Sequence, residues 1–420
     1  MNLTSTTFWS AVYAAIRMLS GVISVKVLAC VVGPTGVAYV GQFQSFLAIT
    51  HNGSNLGIGQ GTIKYLAEHK EDAVACQKIL STAFVITLLG STVLGILILL
   101  FHEQLSYYLF KSIAYQDVLI VLGLTVVLYS MGQILTHALN GFQEIKSLIT
   151  ARILASIIGL VITILLVVTA GVRGALLALI VSQLVAFGVL IVYTRKYNWC
   201  SKQYFLKGCD RKNLWRLGQF SLMTFSSVVL LHLRQIYLRE YIMVELSVEA
   251  AGYWQAIWKI SEMYLTIITF ALSVYYLPKL SSIQEKFLLK QEIINGYRFL
   301  LPLVLCLSVG IFITRDWIVW ILFTPDFYEI RELFLYQLIG DVFKIASWIL
   351  SFLMVAKAMT KLFIITEIIF IIIFLVFSLY GVQWFGLVGM TYAFAWTYFL
   401  YFLTMLVLFR DILLQKAPTN

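Results

Sequence analysis

Apolar runs of about twenty residues, long enough to cross ~30 Å of hydrocarbon as a helix, follow one another through nearly all of the 420-residue chain. They predict twelve spanning helices, over 8–32, 37–63, 79–101, 116–139, 147–170, 174–194, 217–240, 250–277, 298–322, 332–356, 362–381 and 385–409. The joints carry residues that end helices: Gly33-Pro34 after the first, Gly171-Val-Arg-Gly174 before the sixth, Pro278 after the eighth and Pro325 after the ninth. The longest polar run, from Thr194 to Arg216, is too short for a soluble domain. No basic region precedes the first segment and no small-residue cleavage site follows it, so it is expected to stay as a helix. The pattern therefore predicts an all-α polytopic membrane protein.

With both termini in the cytoplasm, the cytoplasmic loops and C-terminus hold 20 lysines and arginines, from Lys64 through Lys207 to Lys416. The outer side holds five, Lys111, Arg173, Arg239, Arg315 and Arg331. That asymmetry satisfies the positive-inside rule. The central loop carries seven of the basic residues against Asp210. It reads chiefly as a topology determinant, with anionic headgroups as the alternative.

A shift of 215 residues superposes the two ends of the chain. Gly171-Val-Arg-Gly174 falls on Gly386-Leu-Val-Gly389, Ala178 on Ala393, Ile134-Leu135 on Ile349-Leu350, Lys146 on Lys361 and Ile153 on Ile368. Near the start of each half the offset drifts by a residue or two, and there Arg17 corresponds to Arg234, 217 positions on. The repeat predicts a six-helix bundle over 1–194, a basic cytoplasmic loop over 195–215 and a second six-helix bundle over 216–420. Both bundles start and end on one side, so a pseudo-two-fold axis along the membrane normal relates them.

Composition sharpens the class. The chain is 61% hydrophobic and only 12% charged, where soluble domains hold about 25% charged residues; this surface belongs in lipid. The net charge of +10 then reflects topology and not a nucleic-acid partner. Cys30, Cys76, Cys200, Cys209 and Cys306 form no C-x-x-C, and no histidine stands at metal-ligand spacing.

Charges within the apolar segments carry the candidate chemistry, since a charge at bilayer depth costs at least ~2.5 kcal/mol and is kept where it faces a wet cavity or a partner. Arg17 shares a helical face with Ser20, Gly21 and Ser24. Lys26 falls on the opposite face, near the outer end, where it can snorkel. Arg234 shares a face with Ser227, and neither arginine has an acidic neighbour at helical spacing. His137 and His232 read as buried hydrogen-bonders. In the eighth segment Gln255, Lys259, Glu262 and Thr266 share a face, Lys259 and Glu262 at pairing distance, with Trp254 and Trp258 on a neighbouring stripe that suits packing, an interfacial belt or a sugar ring. The tenth places Gln337, Asp341, Lys344 and Trp348 together. Candidate substrate-binding residues are Arg17, Lys26, Arg234, Trp254, Lys259 and Lys344. Candidate ion-coupling residues are Asp341, Glu262 and Glu367, the last standing where the first half has Arg152. No nucleotide-binding loop, metalloprotease motif or nucleophile elbow occurs. No catalytic residue, cofactor or metal is expected, and any driving force would be an ion gradient, the membrane potential or downhill flow.

Several stretches carry a resemblance. They are Trp9 with Arg17, Gly21 and Lys26; Gly33-Pro34 with Gly36; Gly61-Thr-Ile-Lys-Tyr-Leu-Ala67; Trp254-Gln255 with Ile260-Ser261; Ser273-Val-Tyr-Tyr-Leu-Pro-Lys-Leu-Ser281; and Gln337-Leu-Ile-Gly-Asp-Val-Phe-Lys344 with Ala356-Lys-Ala358. In these the chain resembles the Wzx flippases of the multidrug/oligosaccharidyl-lipid/polysaccharide exporter superfamily, especially those serving enterobacterial common antigen. The resemblance implies a V-shaped pair of bundles around a cationic cavity in the bacterial inner membrane. It implies a substrate of undecaprenyl pyrophosphate carrying an oligosaccharide, a lipid III or O-antigen unit, flipped by alternating access. Membrane lipids, H+ or Na+, and glycan polymerase and chain-length proteins are the partners it brings. In the family pattern Arg17 matches a basic position, and Lys26, Asp341 and Lys344 match directly; Lys259 replaces a small polar residue. The rival expectations are an ion-coupled multidrug antiporter of the same superfamily, which would favour an acidic cavity, a membrane glycosyltransferase or polymerase, and a non-transporting scaffold.

Overall fold

A computed structural model describes residues 3–205, 208, 210–357 and 359–415. The side chains of 3–8, 10, 11, 211, 212, 219–227, 267, 270, 271, 273 and 274 are also outside the description. Ser227, Lys207, Cys209, Ser273, Val274, Ala358 and Lys416, singled out above, therefore lie outside the described residues or side chains. The protein is an all-α multi-pass membrane protein, with no strand among the described residues. Its helices are α1 (Leu3–Ser54), α2 (Gly59–Glu68), α3 (Ala73–Leu100), α4 (His102–Phe110), α5 (Gln116–Gly141), α6 (Ile145–Thr194), α7 (Lys202–Phe205), α8 (Arg211–Glu245), α9 (Val248–Ala271), α10 (Leu277–Ser282), α11 (Lys286–Ile313), α12 (Arg315–Leu322), α13 (Phe334–Ala356), α14 (Thr360–Phe385), α15 (Val388–Leu408) and α16 (Arg410–Leu413). Eight segments among the described residues are long and apolar enough to cross a membrane.

Two of the eight are double. α1 has 52 residues, about 78 Å at helical rise, more than twice the hydrocarbon thickness. It breaks at Gly33, whose φ of 62° leaves the helical region, immediately before Pro34. α6 breaks in the same way at Gly171, at φ 55° and ψ −132°. A side chain on Gly174 would overlap the carbonyl of Leu166. In a straight helix those residues stand about 12 Å apart, so the chain folds back on itself there. Gly386, between α14 and α15, has φ 60° and ψ −144°. A side chain on Gly389 would overlap the Gly381 carbonyl. The two glycine pairs that the 215-residue shift superposes thus build the same hairpin.

The chain divides into two compact units, Met1–Glu240 and Tyr241–Asn420. In unit 1 the second leg of α1 packs Val40, Phe43 and Leu47 against Phe110, Leu119, Leu122 and Leu176. A second cluster joins Leu66, Ile79, Leu80, Leu135, Leu139 and Phe142. Trp199 completes it, stacked between Phe142 and Tyr197 with ring centroids 5.2 and 5.6 Å away. The loop after α6 is thus folded down onto unit 1. Ser81 on α3 donates to the carbonyls of Phe205 and Gly208, and Thr82 accepts from Asp210 N–H. In unit 2 the core runs through α13, where Ile345, Ile349, Leu350 and Leu353 meet Leu265, Ile268, Val304, Tyr401 and Met405.

Two expected spans differ. That over 37–63 stops at Ser54 and turns through Leu56 and Gly57, both at positive φ, before α2 begins at Gly59. The segment 298–322 is broken at Thr314, between α11 and α12. Arg315 and Asp316 enter there, and Asp316 is held by Arg331 at 2.7 Å, a pair that belongs at a wet boundary. α12 buries Val319 and leaves Trp317 and Trp320 more than 60% exposed, the habit of a short helix lying in the membrane interface.

Candidate functional site

Unit 1 carries Arg17, Lys26 and Arg234. Arg17 is exposed on the first leg of α1, and no carboxylate among the described residues pairs with it. The face it shares with Gly21 is open, for a side chain built on Gly21 meets nothing within 4 Å. Lys26 and Arg234 are half-buried. One turn before Arg17 stands Tyr13, and the Arg152 guanidinium lies 6.0 Å from its ring centroid. Arg152 is a helical residue of α6, where its charge also reaches His137. His137 is pressed against Gly59 of α2 and is half-buried. The sequence signal for Arg152 was its position within a predicted span, obscured by its nearness to the cytoplasmic end.

Arg239 departs from expectation. It is only 2% exposed, where the charge pattern counted it with the outer-side basic residues at the end of the 217–240 span. A buried guanidinium needs acceptors. It donates to Gln42 Oε1 at 2.8 Å and reaches Ser45 Oγ at 3.5 Å; Gln42 in turn donates to the Ile236 carbonyl, and Ser45 to Gln235. One residue further on, Glu240 takes the Lys111 ammonium. Burial, and after it the Glu240 carboxylate, pushes the Tyr108 hydroxyl of α4 up to about 12.

Unit 2 separates the three candidate carboxylates. Glu262 is exposed, pairs with Lys259 at 3.2 Å as the spacing predicted, and accepts from Trp258 Nε1 at 3.2 Å. Glu367 is half-buried on α14. Asp341 is completely buried. Its Oδ2 accepts from the Tyr264 hydroxyl at 2.8 Å, and its Oδ1 has no hydrogen-bond partner among the described residues. A turn earlier Gln337 donates to Ser261 at 3.2 Å while its own carbonyl oxygen has none. Buried oxygens left open in this way are costly, and they converge where α9 meets α13.

Lys344, a turn beyond Asp341, is half-buried among aromatic rings. Its ammonium lies 4.9 Å from the ring centroid of Trp348, 5.7 Å from Tyr398, 5.8 Å from Trp258 and 5.9 Å from Phe394. Trp254 stacks behind Trp258 at 5.7 Å and is 2% exposed; the half-exposed ring of the pair is Trp258.

Residues 27–332 match the family described as polysaccharide biosynthesis protein. The chain belongs to that family. Among its relatives are proteins named lipid III flippase from Escherichia coli (strain K12) and from Shigella flexneri. Each is 27% identical over 403 residues, covering 96% of this chain and 97% of the relative. The fold is that of solved transporters too distant to speak to function. An inward-facing multidrug resistance MATE family transporter of the MOP superfamily aligns with a TM-score of 0.75 at 14% identity, over 96% of this chain and all of that one. The lipid II flippase MurJ in an inward closed conformation gives 0.75 at 15% identity, over 98% and 90%. The all-α fold class to which the sequence pointed is thus shared with these transporters.

Proposed function

We propose that this member of the polysaccharide biosynthesis family is a flippase. It carries an undecaprenyl-pyrophosphate-linked oligosaccharide, of the lipid III or O-antigen kind, from the cytoplasmic to the periplasmic leaflet of a bacterial inner membrane by alternating access. The observation that carries this reading is the match to two lipid III flippases over 96% of this chain and 97% of each of them. The 20:5 split of basic residues supports cytoplasmic termini.

The chemistry of the step is solvation. A pyrophosphate headgroup loses its water on entering ~30 Å of hydrocarbon, and protein cations must replace it. Arg17, with its fixed fork of donors, suits a phosphate oxygen pair. Lys26, Arg234 and Lys259 are further candidate contacts, as is Lys344. Trp258, backed by Trp254, offers a face to a sugar. The polyprenyl chain stays in lipid throughout, so no bond is made or broken. Asp341, with its open oxygen, is the candidate for a coupling H+ or Na+ ahead of the paired Glu262 and of Glu367. Polymerase and chain-length proteins are the partners such a product would meet next.

The test is flipping of a fluorescent lipid-linked oligosaccharide in proteoliposomes. The wild-type chain is expected to expose the label to an external quencher, and protein-free vesicles are not. Arg17→Ala is expected to lower the rate about ten-fold or more, the worth of a charge-assisted hydrogen bond, with normal membrane insertion. A wild-type rate equal to that of empty vesicles would refute the function; an Arg17→Ala rate equal to wild type would refute the residue's role alone.

A further inference from the structure

Four ring centroids within 6 Å of one ammonium are more than a lysine needs to be tolerated in a membrane helix. Trp258 comes from α9, Trp348 from α13, and Phe394 and Tyr398 from α15. Such an assembly is the recognition element for a quaternary ammonium ion, whose spread charge is drawn to ring faces. Three of the rings hold one another independently of the lysine, and Trp348 packs against the apolar core of unit 2. Trp258 meets Phe394 edge to face at 5.4 Å, and Phe394 meets Tyr398 at 4.8 Å. Behind them, Trp254 supports Trp258 and Phe374 supports Phe394, at 5.7 and 6.1 Å. The Trp258 indole is further pinned by its hydrogen bond to Glu262 at 3.2 Å. With the lysine side chain removed, the cage would remain built and empty, with the carboxylates of Asp341 and Glu262 on the helices that line it.

We infer that Lys344 is the tethered guest of an aromatic cation cage, and that by filling it the lysine determines specificity, excluding compact organic cations from unit 2. Specificity is a difference of affinities, and an occupied site is one way to reject the wrong ligand. The inference concerns which charge the unit refuses and goes beyond the flippase reading; the shape of the fold alone is shared with multidrug transporters.

The experiment uses the full chain in detergent and tetramethylammonium chloride as probe, with sodium chloride at matched ionic strength as blank. Binding is read by quenching of tryptophan fluorescence and by calorimetric titration. Lys344→Ala empties the cage; Lys344→Met removes the charge and leaves the space filled. Lys344→Ala is expected to bind the probe at least about ten-fold more tightly than wild type or Lys344→Met. Adding Trp258→Ala to Lys344→Ala is expected to abolish the gain. Should Lys344→Ala not yield monodisperse protein, Lys344→Ser vacates nearly the same volume and takes its place. Equal binding by wild type and the emptied variant, or by Lys344→Met and the emptied variant, overturns the proposal. The first would mean that the lysine blocks nothing, and the second that charge and not occupancy does the excluding. Neither outcome depends on whether the chain flips a pyrophosphate lipid, which the vesicle assay decides separately.

Discussion

Gly174→Val is expected to remove nearly all folded protein from the membrane, and Gly389→Val to do the same. The cause is steric and has no remedy by side-chain rotation. At Gly174 the obstacle is the backbone carbonyl of Leu166, at Gly389 that of Gly381, and each hairpin is already committed to a positive φ at Gly171 or Gly386. Relief requires moving one helical leg off the other, which in α6 would separate Val167 from the Ala175–Leu176 side of the unit 1 core. Backbone overlap of this kind costs at least about 3 kcal/mol. The measurement is the yield of monodisperse protein in fluorescence-detected size exclusion, together with its melting temperature. Gly188→Ala, in the same helix α6 with nothing within 4 Å of the added methyl, is the control. It should match or exceed wild type, because alanine is the better helix former. Wild-type yield from either valine variant would mean that the legs do not lie as close as described.

These hairpins were legible in the sequence, because their demand is local. A residue at positive φ followed by a close approach three residues on calls for glycine twice, and that pair recurs at the same offset as the rest of the repeat. The break at Gly33-Pro34 was legible for the same reason. The end of α11 was not. An apolar count over 298–322 tolerates Arg315 and Asp316 beside Arg298 as three charges in twenty-five residues, whereas the actual partner of Asp316 is Arg331, fifteen positions on. Long-range partners were beyond reach altogether. Tyr264 lies 77 positions from Asp341, and nothing periodic links α9 to the register of α13. Lys344 was picked out by charge and depth, and Trp348 and Trp258 were noticed on their own helices; that they converge with Phe394 and Tyr398 of α15 is a fact of packing. Arg239 shows the opposite error. Charge counting treats every arginine near a span end as solvated, while this one is buried against Gln42 and Ser45, two hundred residues earlier in the chain. Trp199, in the most polar run of the chain, lies in the unit 1 core for the same reason: its stacking partner Phe142 ends a helix two segments back.

Asp341 gives the largest functional effect expected of a single atom exchange. A carboxylate with no exposed surface, one oxygen held by Tyr264 and the other without a hydrogen bond of good geometry among the described residues, though Ser261 lies near, is costly in a membrane interior. The Lys344 charge lies one turn away and stabilises it in part, yet its ammonium is drawn among the aromatic rings. Under the proposed function this oxygen is the candidate place for an H+ or Na+, and the change in net charge would be felt by the helices packed around it, α9 and α13. Asp341→Asn keeps the volume and the acceptor for Tyr264 while deleting the charge. In proteoliposomes it is expected to lose the acceleration of flipping by an imposed proton or sodium gradient, a loss on the order of a hundred-fold at the largest gradient, with the slow gradient-independent exchange unchanged. Tyr264→Phe deletes one hydrogen bond, worth about 1–3 kcal/mol to a charged acceptor, and should lower the gradient response without abolishing it. Glu262→Gln, at an exposed carboxylate already paired with Lys259, should leave the gradient response intact. An Asp341→Asn protein still driven by a gradient would remove the carboxylate from the coupling step. A wild-type protein indifferent to both gradients would show that flipping is driven by the substrate alone, and Asp341 would then be a charge whose counter-ion is structural.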